Sequence, residues 1–318
     1  FMNNSAEDVN VVTNPDDIYT TCGGAIAIEN GSSPVFIRCQ IEDSNAAMGG
    51  GLYWSKASPT ILDCNIANNV AYRGGGMYAA FGTGTVAETL VTRNRAFERY
   101  PDPNFLADPN VPGTRIDGLG GGFYGISSPL QICDSVFRNN RASTSGGAVY
   151  FGGSDQDLAI APVLHDCLIV SNGAGRDGGG VSVNWYNEPT ISNCTIADNF
   201  VANGLGDAFG GGLAVAYDSN AVLINSIVWG NSSTGEGAQV SVANGHPYGA
   251  RPSTLHVLYS DIGPCDDHQK DGARKPLDLV FVFDSSTTMS DSMTAIKAAA
   301  GQIVDRVAGK VPGSRIEI

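Results

Sequence analysis

The segment that decides the fold runs Gly49-Gly50-Gly51-Leu52-Tyr53-Trp54, then Ser58-Pro59-Thr60-Ile61-Leu62-Asp63-Cys64-Asn65-Ile66-Ala67-Asn68-Asn69-Val70-Ala71, before a new glycine triplet begins at Gly74. The pattern restarts at Cys22/Gly23, Gly49, Gly74, Gly120, Ser145/Gly146, Gly178 and Gly210. The shortest step is 25 residues, 74 minus 49. A period of this length is typical of solenoid proteins, in which each repeat stacks on the next.

Each copy holds two short apolar runs with the alternation of a β-strand. The second run has a small residue at one fixed place: Cys39, Cys64, Thr89, Ser135, Cys167, Cys194, Ser226 and Ser260. Five residues later an asparagine recurs at Asn69, Asn94, Asn140, Asn172, Asn199 and Asn231, with Ser44 as the exception. Stacked at the strand spacing of ~4.8 Å, these columns become ladders. Buried asparagine amides can then donate to one neighbour and accept from the other.

The sequence therefore predicts an all-β, right-handed, single-stranded parallel β-helix, with glycines at the corners where the backbone needs a positive φ. Phe1 to Ala6 matches Phe137 to Ala142 position by position, so we expect the chain to begin inside a repeat. The expected organisation is a β-helix over residues 1–264, a linker over 265–276 and a second domain over 277–318.

Two motifs carry a family resemblance. Gly23-Gly24-Ala25-Ile26 and the Phe-x-x-Asn of Phe137 to Asn140 resemble the paired motifs of the chlamydial polymorphic outer-membrane protein repeats. The later Asn225 to Asn231 resembles secreted bacterial β-helix repeats more broadly. The resemblance covers about residues 1–264, and it implies a secreted or cell-surface protein that is often adhesive.

Composition limits the classes of partner. The 318 residues carry a net charge of −14 with only 18 basic residues, which argues against nucleic acid or an anionic membrane surface as a partner. No apolar run approaches the ~20 residues of a membrane span. Cys39, Cys64, Cys167 and Cys194 are interpreted as small buried residues, with Cys133 on the same face.

The composition changes after Cys265. Leu277 to Asp284 is a continuous apolar run ending in an acidic residue, which predicts a buried parallel strand, and Arg315 to Ile318 predicts another. The Asp-x-Ser-x-Thr after the first strand resembles the opening of a von Willebrand factor A domain. That resemblance implies that Asp284, Ser286 and Thr288 are ligands of Mg²⁺ or Ca²⁺ in an incomplete site. Thr287 stands where the family has glycine.

A carboxylate column is predicted on the outside of the β-helix. Asp63, Glu88, Asp134 and Asp166 each precede the small-residue position in four consecutive repeats. Carboxylates ~4.8 Å apart repel one another and favour a cation such as Ca²⁺. They also lie near the spacing that retaining glycosidases use, which makes them weak catalytic candidates. The third interpretation is a solvated acidic stripe that keeps the sheet soluble.

A second outward column holds Tyr53, Tyr78 and Tyr124, with Ile26 before it and Val149 after it. The longest insertion, roughly Phe97 to Gly118, leaves between the last two of these repeats and brings Arg115 and Asp117 nearby. Stacked tyrosines beside a polar loop could bind sugar rings. In the other interpretation the loop packs on the tyrosines and no site exists.

Three functions remain open at this level. The first is a secreted or cell-surface scaffold for adhesion or ligand binding, without catalysis, whose partner is an extracellular glycan or protein. The second is a polysaccharide lyase or glycosidase that acts on acidic glycans. The third is a structural spacer. The sequence has no recognisable catalytic signature, which favours the first, and a monomer is expected.

Overall fold

The structure, a computed structural model, describes residues 21–97, 117–153, 160–202, 208–243 and 252–263, together with the backbone of two strands at 278–280 and 315–317. All regular structure in these ranges is β-strand. The chain divides into two compact units, residues 1–265 and 266–318.

The repeats of the first unit form four parallel sheets. The first sheet contains Ile26–Glu29 (β1), Leu52–Ser55 (β4), Met77–Ala80 (β8), Phe123–Ile126 (β12), Val149–Gly152 (β16), Val181–Val183 (β20), Leu213–Val215 (β24) and Val240–Val242 (β28). The second contains Val35–Ile37 (β2), Thr60–Leu62 (β5), Thr85–Ala87 (β9), Gln131–Cys133 (β13), Val163–His165 (β17), Thr190–Ser192 (β21), Asn220–Ile224 (β25) and Thr254–Leu258 (β29).

The third sheet contains Gln40–Glu42 (β3), Asn65–Ala67 (β6), Leu90–Thr92 (β10), Val136–Arg138 (β14), Leu168–Val170 (β18), Thr195–Ala197 (β22), Ile227–Trp229 (β26) and Asp261–Ile262 (β30). The fourth is built from two-residue strands, Val70–Ala71 (β7), Arg95–Ala96 (β11), Arg141–Ala142 (β15), Gly173–Ala174 (β19), Phe200–Val201 (β23) and Ser232–Ser233 (β27).

Every strand pairs in parallel with the equivalent strand of the next repeat. Leu52 pairs with Met77 in the first sheet, and Ile61 pairs with Val86 in the second. The alternate residues of each strand point into one continuous apolar core; Leu52, Ile61 and Val86 are at most 1% exposed. Stacked repeats in long parallel sheets are the arrangement of a β-solenoid, consistent with a parallel β-helix.

The glycine corners are confirmed. Gly49 has a φ of 65°, and a Cβ at this position would lie 2.1 Å from the carbonyl oxygen of Leu52. A side chain is therefore excluded both by the left-handed backbone and by the turn that follows it.

The second apolar run of each repeat is not one strand, as the sequence analysis assumed, but up to three. In the repeat quoted above, Asp63 (φ 51°) separates β5 from β6, and Asn68 (φ 57°) separates β6 from β7. Each left-handed residue turns the chain, so the alternation of inward-facing and outward-facing side chains starts again in the next strand. Cys133 is therefore half-buried, beside the fully buried Ile132 of the same strand, and does not share the inward face of the small-residue column.

The asparagine ladder is confirmed. Oδ1 of Asn94 accepts from both the backbone N–H and the Nδ2 of Asn69, each at 3.0 Å. Nδ2 of Asn94 donates in turn to the carbonyl of Ile66 at 2.8 Å and to Oδ1 of Asn140 at 3.0 Å. Because these amides are fully buried, the repeated hydrogen bonds remove a desolvation cost that a single asparagine would carry alone.

The small-residue column is a second polar ladder. Thr89 Oγ1 accepts from the backbone N–H of Cys64 at 3.3 Å, and the Cys64 thiol points at the carbonyl of Leu62 at 3.3 Å. Serine, threonine and cysteine share this place because each has one small group that donates and accepts. The cysteines in the described ranges are free thiols, and burial raises the pKa of Cys64.

In the second unit, Asp278–Val280 (β31) pairs in parallel with Arg315–Glu317 (β32). Both strands fall inside the two runs predicted as strands.

Candidate functional site

The predicted carboxylates form a stack of turn residues. Strand register aligns Leu62, Ala87, Cys133 and His165, which directly precede them. Asp63, Glu88, Asp134 and Asp166 are all exposed, with φ angles of 51, 50, 49 and 55°. Aspartate is one of the residues that adopts the left-handed conformation most readily. The backbone conformation of the turn is therefore enough to explain why aspartate occurs at three of these positions, and no bound ligand has to be invoked.

One member of this column has a defined partner. Oδ2 of Asp166 lies 2.7 Å from Nδ1 of His165. The hydrogen bond with His165, helped by one from Asn193, lowers the pKa of Asp166. A general acid in a glycosidase needs a raised pKa, so the shift at Asp166 is in the wrong direction for that role.

No cation site is visible in the described ranges, since no group of three or more histidine, cysteine, aspartate or glutamate side chains there could hold a metal ion. Asp284, Ser286 and Thr288 lie outside the described residues, as does Arg115. The predicted Mg²⁺ or Ca²⁺ sites therefore remain predictions.

The tyrosine column is longer than the sequence analysis expected. Register places Ala27, and not Ile26, beside Tyr53, and it places Tyr150, and not Val149, beside Tyr124. The fourth tyrosine was missed because Ala148 replaces the third corner glycine, so the column position was assigned one residue too early, to Val149, although the repeat itself keeps its register.

The four rings form a continuous stack. Centroids are 5.4 Å apart for Tyr53 and Tyr78, 4.9 Å for Tyr78 and Tyr124, and 5.0 Å for Tyr124 and Tyr150. Each tyrosine is at most 9% exposed, and burial raises the pKa of Tyr78 and of Tyr150. The stack is therefore a second apolar cluster outside the core, and its faces are not an open platform for sugars.

One end of this stack opens into a cleft of about 390 Å³. Tyr124 and Tyr150 line it, together with Trp185 and Tyr217 from the following repeats. Its described charged residues are Arg73, Asp117, Arg176 and Asp177. The volume falls within the ~300–1,000 Å³ of ligand pockets, and the mixture of aromatic rings with a few polar groups is typical of them.

Trp185 and Tyr217 occupy the same corner in successive repeats, where the first-sheet strand ends. Their rings stack at a centroid distance of 4.6 Å and an angle of 7°. Both residues have left-handed backbones, with φ of 58° and 54°, a conformation that is costly for bulky side chains. Trp185 is nevertheless 36% exposed. The left-handed backbone is shared by the same corner of other repeats, such as Phe81 (φ 51°), so the feature specific to Trp185 and Tyr217 is that their stacked rings line the cleft.

Arg176 links the charged and aromatic parts of the cleft. Its Nε donates to Oδ2 of Asp177 at 3.1 Å, and its Nη2 donates to the hydroxyl of Tyr217 at 2.7 Å. Ser145 Oγ donates to the same carboxylate oxygen at 3.2 Å. Burial lowers the pKa of Arg176, but Asp177 and Tyr217 outweigh it and raise the value overall. The arginine is thus fixed in place and its charge is compensated.

A smaller hollow of about 260 Å³ lies on the far side of the same residues. Arg176, Asp177 and Tyr217 line both spaces, and Ala214 and Ser241 belong to the second alone. The two hollows follow one another along the stacking direction of the repeats, so together they offer an elongated surface.

Sequence reasoning found part of this site. Tyr124 and Asp117 line the cleft as predicted neighbours, whereas Tyr53 and Tyr78 lie deeper in the stack and do not line it. Trp185, Tyr217 and Arg176 were missed. A weak signal was the aromatic residue in Val183-Asn184-Trp185 and again in Val215-Ala216-Tyr217, at a corner that elsewhere holds Lys56, Phe81 or Ser127.

Within the described ranges no helix is long and apolar enough to cross a membrane. Comparison of the chain with protein families, with curated proteins and with solved structures found no match, so its function has to be inferred from the site itself.

Proposed function

We propose that this protein is a non-catalytic binding scaffold, secreted or displayed at a cell surface, that takes an extracellular glycan or protein as its ligand. The observation that carries the proposal is the cleft lined by Tyr124, Tyr150, Trp185 and Tyr217. It combines aromatic rings, of which Trp185 is 36% exposed, with fixed polar groups, which is the composition of a recognition site.

The scaffold is suited to adhesion because its binding surface is held by repeated backbone pairing. Trp185 follows β20, and Tyr217 follows β24, and these strands are joined residue by residue, with Val183 opposite Val215. A site on such strands keeps its geometry without a ligand, which reduces the ordering cost of binding. The right-handed coil expected from the handedness of parallel strand crossovers belongs to this proposal.

Location and cation dependence rest on the resemblances described above. The secreted or surface location is supported by the repeat motifs around Gly23 and Phe137. A von Willebrand factor A-like module over 277–318 would add a divalent-cation site through Asp284, Ser286 and Thr288. A dependence of adhesion on Mg²⁺ or Ca²⁺ would then arise there, and not in the cleft.

A hydrolase is the second candidate, because Asp117 and Asp177 line one cleft. A glycosidase typically needs two carboxyl groups that flank the glycosidic bond to be cleaved. Asp177, however, already accepts hydrogen bonds from Arg176 and Ser145, which fix its carboxylate in place. A carboxylate anchored in this way is better suited to orient a neighbouring group than to take part in proton transfer, so binding without turnover is the stronger proposal.

The test is binding of the full chain to a panel of extracellular glycans and matrix proteins, with and without EDTA, together with an assay for new reducing ends. Trp185→Ala should weaken binding by about tenfold or more, the scale of a lost aromatic hot spot. The matched control is Phe81→Ala, because Phe81 occupies the same left-handed corner (φ 51°), is 53% exposed and lies outside the cleft.

Release of reducing ends that disappears in Asp117→Asn would replace the binding proposal with the hydrolase. Binding that Trp185→Ala and Phe81→Ala leave equally intact would show that the cleft is not the site. Absence of any binding would support a structural spacer.

A further inference from the structure

The outer face of the third sheet carries an apolar column. In β10, β14, β18 and β26 the middle residue is fully buried in the core, so the first residue of each strand points outward. These outward residues are Leu90, Val136, Leu168 and Ile227, with Thr195 of β22 before the last. Leu168 is 40% exposed and Ile227 is 43% exposed. A contiguous apolar column on an exposed sheet face is typical of a surface that contacts another protein.

Opposite charges border this column on its two sides. Glu88 precedes β10 and Asp134 precedes β14, and both are exposed. Arg93 follows β10 and Arg138 ends β14, and both of these are exposed as well. The backbone N–H of Arg93 donates to the carbonyl of Arg138 at 3.2 Å, so the two arginines lie on adjacent repeats. Each of these two repeats therefore presents an acidic, an apolar and a basic side chain in that order.

The basic border stands out against the composition of the chain, which has 18 lysine and arginine residues and 32 acidic ones. Four arginines occur in these two adjacent repeats, and Arg95 pairs in register with Arg141. Among the residues that the structure describes, neither Arg93 nor Arg138 forms an ion pair. Their guanidinium groups are therefore available to the carboxylates of a partner.

The two borders are complementary to each other when two copies of this face meet. Rotation by 180° about an axis parallel to the stacking direction of the repeats places the start of each strand over the end of the same strand in the second copy. Asp134 then faces Arg138 of the second copy, Glu88 faces Arg93, and the apolar columns meet between them. A two-fold axis along the strands would place like charges opposite each other, which is unfavourable. The charges therefore select one symmetric arrangement.

The face is large enough for a specific contact. Its eight strands extend over about 34 Å at a spacing of ~4.8 Å. A three-residue strand with its two bordering turn residues is about 17 Å wide at ~3.3 Å per residue. Two such faces would together bury on the order of 1,100 Å², which lies at the lower end of specific interfaces. An apolar centre with a charged rim is also the usual anatomy of such an interface.

We infer that this protein forms a symmetric dimer through the outer faces of its third sheets, with the two stacks of repeats side by side and parallel. The acidic border of each copy pairs with the arginine border of the other. This dimer differs from the monomer expected from the sequence. No residue of the third sheet lines the cleft, so the inference is independent of the binding function proposed above.

The first experiment is analytical ultracentrifugation of the full chain over a range of concentrations. We expect a concentration-dependent dimer that high salt weakens, because charged groups border the contact. Leu168→Asp should weaken dimerisation about tenfold or more, because it places an unpaired charge at the centre of the contact. The matched control is Phe81→Asp, which adds the same charge at a residue that is 53% exposed and follows β8 of the first sheet.

Two charge reversals test the arrangement. Arg138→Glu and Asp134→Arg should each weaken dimerisation about tenfold or more, since like charges would then face each other. An equimolar mixture of the two variants should recover the dimer, because the introduced glutamate of one faces the introduced arginine of the other. Arginine suits the backbone of this turn, since Arg38 occupies the same corner of an earlier repeat with a φ of 54°. Circular dichroism checks that each variant is folded.

Three results would overturn the inference. The first is a chain that stays monomeric at every concentration. The second is a dimer that Leu168→Asp weakens no more than Phe81→Asp does, because the contact would then lie elsewhere. The third is a pair of folded reversal variants that remain monomeric when mixed, which would exclude the pairing of the two borders. Ligand binding in the cleft is measured separately, so its failure would leave the dimer standing.

Discussion

Gln239 takes the place of a missing asparagine next to Asn231. Its Oε1 accepts from the backbone N–H of Asn231 at 3.2 Å and from the Nδ2 at 2.9 Å, and its Nε2 donates to the carbonyl of Asn231 at 3.2 Å. In the repeat that follows, the ladder position falls on Cys265, which has no amide. A glutamine from a different position of the repeat thus completes the asparagine ladder.

Gln239→Ala should loosen the last described repeats selectively. The change leaves two donors of Asn231 without their acceptor, which costs about 1–3 kcal/mol for each buried group. Hydrogen exchange at Asn231 and in β26 should accelerate, while exchange in β6 stays unchanged, because the repeats of a solenoid contact only their neighbours. Equal acceleration along the whole chain would show that the repeats unfold as one unit.

Asn140→Ala should be among the most destabilising single changes in the ladder. Asn140 Oδ1 accepts from the N–H and the Nδ2 of Asn94, and its own Nδ2 donates to Val91 and to Asn172. We expect a loss of about 2–5 kcal/mol in the free energy of unfolding by urea. Gln131 is exposed, so Gln131→Ala should change the free energy of unfolding by no more than about 0.5 kcal/mol. Equal effects of the two changes on the free energy of unfolding would contradict the claim that the buried asparagine ladder stabilises the fold.

Ser135 tests the second polar ladder. Its hydroxyl accepts from the N–H of Thr89 at 3.1 Å and donates to the carbonyl of Cys133 at 2.7 Å. Ser135→Cys should be tolerated, since Cys64 holds the equivalent place, whereas Ser135→Val should cost about 1–3 kcal/mol. Thermal unfolding of the two variants gives the comparison. A valine variant as stable as the cysteine variant would mean that only size matters there.

Asp166 should give stability a measurable acid dependence. Its pKa in the folded state is lowered from the ordinary 3.8, first by the hydrogen bond with His165. Its stabilising contribution is therefore present above pH ~4 and is lost as pH falls through the lower folded value. Asp166→Asn should flatten that part of the stability curve. A carboxyl NMR titration of Asp166 with a midpoint at or above 3.8 would contradict the hydrogen bond.

Much of the fold could be predicted from sequence because the same spacing recurs in every repeat. The corner glycine Gly49 and the ladder residue Asn94 were identified from spacing alone, and both have the expected geometry. The division of the second run was not predicted, because the left-handed turn at Asp63 requires no glycine. Strand pairing was needed to show that Tyr150, and not Val149, continues the tyrosine column.

The cleft was harder to predict for a physical reason. Trp185 and Tyr217 are 32 residues apart in sequence and meet only because their strands pair in register. Arg176 reaches Tyr217 across the same step between repeats. Sequence periodicity identifies columns, but it does not reveal which side chains of different columns meet around one cleft.

The most direct measurement is ¹⁹F NMR of the full chain labelled with fluorotryptophan, titrated with its best-binding ligand. The chain has three tryptophans; Trp54 is buried in the core, Trp185 lines the cleft, and Trp229 lies in β26 of the third sheet. Trp185→Phe assigns the cleft resonance. The account predicts a saturable shift of the Trp185 resonance, with those of Trp54 and Trp229 unmoved. Ligand binding that leaves the Trp185 resonance in place would contradict it.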